Sequence, residues 1–137
     1  MAVTLTFRRT HNYAAQGRHG ITVPIELTFG ARTVRLPAKL DTGASCCIVQ
    51  RDYAEQLGID VEAGELITIG TANSSFPAYG HDVTMKCFEW QFESKVFFPR
   101  DREIERNVVG RAGWLQQFRI AIVDYDSLLY ISHYDQP

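Results

Sequence analysis

The hexapeptide Leu40-Asp41-Thr42-Gly43-Ala44-Ser45 divides two apolar runs, Thr33 to Leu40 and Cys46 to Val49. Both runs have the length and apolar content of a strand. The break between them is therefore a short polar loop held at both ends by buried elements. Asp and Gly are turn formers, so the tripeptide read alone is equally well a simple turn.

The rest of the chain is written in the same period of two. Val3, Leu5 and Phe7 alternate with threonines, which predicts a half-buried strand over residues 3–7. Arg8 to Gly20 is polar and reads as a loop. Ile21 to Phe29 alternates again, and Gly30-Ala31 suits a hairpin turn into the strand that ends at Asp41. Pro37 marks that strand as irregular or as an edge. Arg51 to Leu57 predicts a short helix capped by Gly58. Leu66 to Ile69 and Phe76 to Cys87 predict a hairpin with a small polar tip at Thr71-Ala72-Asn73-Ser74-Ser75. Phe88 to Phe98 predicts one or two strands, and the charged stretch Pro99 to Asn107 a solvated loop. Val108-Val109-Gly110 predicts a short buried strand. Ala112 to Phe118 predicts a second helix presenting Trp114, Leu115 and Phe118. Strands over 119–123 and 128–132 flank a turn at Asp124 to Ser127. The expectation is one all-β domain over residues 1–137 with one or two short helices.

Composition removes several function classes. Fourteen Lys and Arg against sixteen Asp and Glu leave a net charge of −2, with no basic block to meet nucleic acid. No apolar run approaches the roughly 18 residues of a membrane helix, and the first residues do not read as a signal peptide. Three cysteines, two of them adjacent (Cys46 and Cys47, with Cys87), form neither a disulfide framework nor a paired metal motif. The expected compartment is the cytoplasm. His11, His19, His81 and His133 are scattered, which predicts no metal site and no histidine triad. No cofactor is expected.

The loop at Asp41, the hairpin with its polar tip and the later Val108-Val109-Gly110-Arg111 stand in an order that resembles the retropepsin family of aspartic proteases. The resemblance runs from about Ile21 to Ile131. It implies a single-domain barrel with a flap hairpin. It also implies one catalytic Asp per chain, so that a chain this short works as a homodimer on peptide or protein substrates. Asp41 would meet Asp41 of the second copy. Two carboxylates about 3 Å apart cannot both ionise easily and share one proton. The ionised member would take a proton from a trapped water that attacks the peptide carbonyl. The protonated member would support the oxyanion and protonate the leaving amine.

By the same resemblance Thr42 would bond across to the partner loop, Gly43 would permit close approach, and Ala44 would keep the wall small. Thr71, Ala72, Asn73, Ser74 and Ser75 would close over bound peptide, and Gly110 would pack beneath the Asp loop. Two positions depart from the family pattern. Ser45 stands where many relatives carry an acidic residue, which leaves Arg111 without its usual partner. Lys39 stands where an apolar residue usually lines a pocket, and the two-residue period puts it on the face of Asp41. In the cleft its charge would favour the ionised carboxylate pair and acidic substrates; otherwise its amine snorkels to solvent. The terminal strands are the candidate dimer sheet. The alternative from another class is a catalytically silent, dimeric peptide-binding or scaffolding module with the same fold.

Overall fold

The computed structural model describes residues 1–136; Pro137 and the side chains of Gly17, Arg18 and His19 lie outside the described residues, and with them the expectation about His19. Alternation builds its central hairpin. In β2 (Thr22–Phe29) and β3 (Arg32–Leu40), Val23, Ile25 and Leu27 face inward with Val34, Leu36, Ala38 and Leu40. A fully buried side chain of this kind contributes roughly 1.5–3 kcal/mol, so a slip of one residue would expose the whole set. The register runs from Thr22 opposite Lys39 to Phe29 opposite Arg32. Gly30, at φ +60°, opens the two-residue turn between them.

Pro24 lies directly opposite Pro37. Neither breaks the ladder. The Leu40 N–H bonds Ile21 O, and hydrogen-bonded pairs alternate with non-bonded ones. Counting back, the two prolines form a non-bonded pair whose nitrogens point away from each other. The irregularity expected at Pro37 is thereby absorbed within a regular strand.

The barrel follows the order β2-β3-β8-β4-β7-β6, with β4 at Cys47–Ile48, β6 at Ser75–Cys87, β7 at Trp90–Pro99 and β8 at Val108–Val109. Pairing of β2 with β6, from Glu26 opposite Lys86 to Thr28 opposite Thr84, closes it. The thirteen-residue β6 outlasts the barrel, and its first half pairs with β5 (Glu65–Gly70) as the flap hairpin. A separate three-stranded sheet has the order β1-β10-β9, with β1 at Arg9–Asn12, β9 at Phe118–Val123 and β10 at Leu128–His133. Leu27, Met85, Phe98, Trp114, Leu129 and Ile131 lie fully buried in one core that joins the two sheets. Helix α1 (Arg51–Gln56) buries Ala54 and ends at Gly58, whose φ of +76° is the left-handed stop expected of it.

Four expectations need correction. Residues 3–7 are not a half-buried strand: Val3 is 80% exposed and Leu5 53%, and the strand begins only at Arg9, where β10 offers an edge. Part of the loop expected over residues 8–20 is that strand. The second helix is reduced to a single 3-10 turn at Leu115–Gln117. Gly113 takes φ +100°, which no right-handed helix contains, and a Cβ there would sit 2.9 Å from Ser94 Oγ. Trp114 and Phe118 are buried as expected, but Phe118 already belongs to β9. Ser75 is the first residue of β6 rather than part of the flap tip.

Candidate active site

Asp41 leaves the end of β3 where β8 runs parallel to it, with Lys39 beside Val108 and Leu40 beside Val109. The Asp41 N–H donates to Val109 O at 3.0 Å, which fixes the backbone at the exit. Its Oδ1 accepts the Gly43 N–H at 2.9 Å, and its carbonyl accepts the Ala44 N–H. This Asx turn orients an exposed carboxylate on a rigid strand end. A Cβ at residue 43 would lie only 3.3 Å from Asp41 Oδ1, so glycine leaves the carboxylate room. Thr42 is exposed and Ala44 half-buried.

The second motif is zipped to this loop. Arg111 N–H donates to Ala44 O at 2.8 Å and Ala112 N–H to Ser45 O at 3.0 Å. Gly110 is buried beneath them, and a Cβ there would meet Cys46 O at 2.3 Å and Ala44 O at 2.6 Å. Gly110 packs against the Asp loop itself, and the next helical turn begins only at Leu115. Arg111 is exposed, and it is its backbone, not its guanidinium, that grips the loop.

Asp41 opens into a cleft of about 510 Å³ shared with Lys39, Gln16, Thr22, Pro37, Glu105, Arg106, Asn107 and Val108. Lys39 lines the same cleft as Asp41. Its aliphatic stem crosses Gly20, where a Cβ would come within 2.8 Å of Lys39 Cε. Ser45, Arg111 and the flap tip do not line this cleft. The tip is an exposed turn in which the Thr71 hydroxyl donates to Ser74 O and accepts the Ser74 N–H. At the flap base, Phe76 joins Ile48, Ala78 and Val108 in a small apolar cluster, with Cys46 and Ile104 packed against it.

The stretch expected to be merely a solvated loop supplies one wall of the cleft. Asn107 is held at three points: its Oδ1 accepts the Gln50 N–H, its Nδ2 donates to Gln50 Oε1, and its carbonyl accepts the Lys39 N–H. Upstream, Arg102 pairs with Glu55 and Asp52 on α1, and Arg51 Nη1 donates to Arg100 O. Arg51 also forks onto Glu62 at 2.6 and 2.7 Å, and its guanidinium holds the Glu62 carboxyl below the usual range. Among the described residues, Lys39 and Arg106 share this cleft with Asp41 and Glu105, two cations and two anions.

The cysteines nearby are poor nucleophiles. Burial pushes the Cys47 and Cys87 thiols up to about 12 and also raises the half-buried Cys46. Among the described residues no three His, Cys, Asp or Glu side chains gather as a metal site, and no helix is long and apolar enough to cross a membrane.

The sequence profile of the family described as "Aspartyl protease" matches residues 23–94, more than half of the chain, with the Asp41 loop and the flap hairpin inside the match. The chain belongs to the aspartyl protease family. A solved structure with the same fold is that of a retropepsin-like aspartic protease from Rickettsia conorii. The two share 22% identity at a TM-score of 0.60, over 81% of this chain and 89% of the other. No curated protein sequence matches the chain. The aspartyl protease chain is thus retropepsin-like in fold, with a closed barrel, a flap and a single Asp-Thr-Gly loop at the barrel's mouth.

Proposed function

We propose that this chain is an aspartic endopeptidase whose active site is completed by a second copy. The observation that carries this reading is the Asp41 carboxylate, exposed in an open cleft, oriented by the Gly43 N–H and carried on backbone tied to Val109 O. One chain supplies one such carboxylate. Peptide hydrolysis by activated water needs an acid and a base together, and two Asp41 groups sharing a proton across a two-fold axis supply both. Thr42 at each loop would donate to the partner loop, and Thr71 to Ser74 would close over the substrate and exclude water. Lys39, Glu105 and Arg106 would contact side chains flanking the scissile bond.

The unpaired amino-terminal arm supports the dimer. Residues 1–7 keep strand alternation, yet Val3 and Leu5 stand in solvent. Arg119 holds the arm by donating to Thr6 O and lying 5.4 Å over the Phe7 ring. The outer edge of β9 has no strand beside it among the described residues, and Ile122 and Val123 are about two-fifths exposed. An exposed segment of alternating apolar residues and an exposed strand edge favour pairing between copies.

The deciding experiment compares the native protein with Asp41→Asn on a diverse peptide mixture, from mildly acidic to neutral pH, with mass-spectrometric detection. Cuts made only by the native protein support the reading. A folded dimer that makes no cuts would replace it with the peptide-binding module.

A further inference from the structure

A second cavity, a groove of about 650 Å³, lies beside the cleft of Asp41. The two share Gln16, Thr22 and Pro37 as walls, so one continues into the other. Side chains of β3 alternate, which puts Asp41, Lys39, Pro37 and Arg35 along one side. At about 3.3 Å per residue, Pro37 lies roughly 13 Å and Arg35 roughly 20 Å from Asp41. The floor is the paired Pro24 and Pro37, both exposed. Phe88 and His11 rise on the far side, their rings 5.1 Å apart.

Three features argue that this groove is a docking surface for side chains. First, β2 gains β6 as a neighbour only from Glu26 onward, yet its free edge before that is already blunted. His11 Nε2 pairs with Thr22 O at 2.8 Å, and Pro24 has no N–H to offer. A strand cannot be added there, but side chains can be laid there. Second, Phe88 has φ +55° in the two-residue turn between β6 and β7, where glycine is the usual occupant. An aromatic residue at that φ is strained, and it is kept with its ring between Arg9, at 4.5 Å, and His11. Third, the charges on the groove's described lining do not cancel. Glu26 pairs with Arg35 at 3.3 Å, whereas Lys86 is exposed at the rim with no ion pair among the described residues. Lys39 stands at the junction with the cleft.

We propose that this groove receives the distal part of the substrate peptide. The occupant is an extended segment about four to six residues from the scissile bond, by the spacing above. An apolar side chain rests on Pro24, Pro37 and Phe88, and an acidic one meets Lys86. The inference rests on the proteolytic reading of Asp41 and extends it to substrate choice.

The test uses the dimer and a peptide cut found in the mixture experiment. Three versions of that peptide are made: one ending about two residues from the bond, one carrying a tail of two glutamates around a leucine, and one with lysines in place of the glutamates. Tails are placed at each end in turn, about four to six residues out. The acidic tail should raise kcat/KM at least tenfold over the short peptide, through KM, and the basic tail should not. Lys86→Glu should bring the ratio of acidic-tailed to short peptide close to one, and Phe88→Gly, which relieves the left-handed backbone, should lower it at least threefold. A tail effect below twofold, or one unmoved by Lys86→Glu in a protein of native stability, overturns the groove while leaving proteolysis intact. Separately, a fluorescent acidic tail peptide without the scissile core is titrated onto Asp41→Asn. Saturable binding abolished by Lys86→Glu supports the groove even if no cleavage is ever found, and no binding at millimolar peptide overturns it.

Discussion

Replacing Gly110 by Ala is the sharpest perturbation of the candidate active site that leaves every polar group in place. The added methyl would meet Cys46 O at 2.3 Å, Ala44 O at 2.6 Å and Ala44 Cβ at 3.0 Å. Ordinary contact begins near 3.4 Å, so Cys46 O must retreat by about 1 Å. Both oxygens belong to the backbone of the Asp41 loop, and Ala44 O is already committed to Arg111 N–H. No side-chain rotation relieves the clash. Overpacking of this kind costs about 1–3 kcal/mol, and backbone rigidity puts this case at the upper end. For a chain of this size about 3 kcal/mol lowers Tm by roughly 10 °C. If the loop yields instead, Asp41 moves with it, and a misplacement of about 1 Å costs on the order of 100-fold in rate. Thermal unfolding and kcat/KM on a cleaved peptide are measured together, with Gly70→Ala as the control, since nothing lies within 4 Å of a Cβ there. Native Tm and native kcat/KM in Gly110→Ala would refute the account of the second motif as a glycine seat for the Asp loop.

Other expectations follow from the same geometry. Glu62→Gln should lower stability at pH 7. Arg51 holds the Glu62 carboxyl low, so that contribution is complete above the ordinary Glu value of about 4.3 and disappears as pH falls through the depressed folded value. The gap in Tm between native and variant should therefore be flat from pH 7 to about 5 and close below that; a gap that widens in acid would reverse the assignment. Arg102→Ala frees the loop that carries Glu105 and Arg106 from α1, and should raise KM several-fold with kcat little changed. A small alkylating reagent at neutral pH should label Cys46 slowly and leave Cys47 and Cys87 unlabelled until the protein unfolds, because burial holds all three as thiols; peptide mass mapping reads this. Deleting residues 1–7 should shift the concentration at which activity falls on dilution upward at least tenfold, as sedimentation would confirm.

Much of the barrel was legible because its code is local. Val23, Ile25 and Leu27, and Val34, Leu36 and Ala38, declare a buried face by alternation alone, and Gly30 and Gly58 mark stops that need φ above zero. The Asp41 loop was legible for the same reason: strands on both sides leave it one place to go. The misreadings share a cause, which is dependence on a neighbour distant in sequence. Residues 3–7 alternate correctly, but a strand needs an edge, and within the chain β10 offers its edge to Arg9–Asn12 instead. The stretch 112–118 has helical spacing, but Gly113 must lie tight against Ser94 and Lys95 of β7, and its left-handed φ ends the helix before it begins.

The sequence by itself determined the alternation, the turn positions and the chemistry available at Asp41, since these depend on side-chain period, backbone freedom and residue type. Only the tertiary structure decided that Glu105, Arg106 and Asn107 wall the cleft. It also decided that Lys39, Arg106, Asp41 and Glu105 share one cleft, and that a second groove runs on from Pro37 to Phe88. Those facts are set by strands that meet across fifty residues or more, where closure of the barrel, not any local preference, brings the side chains together.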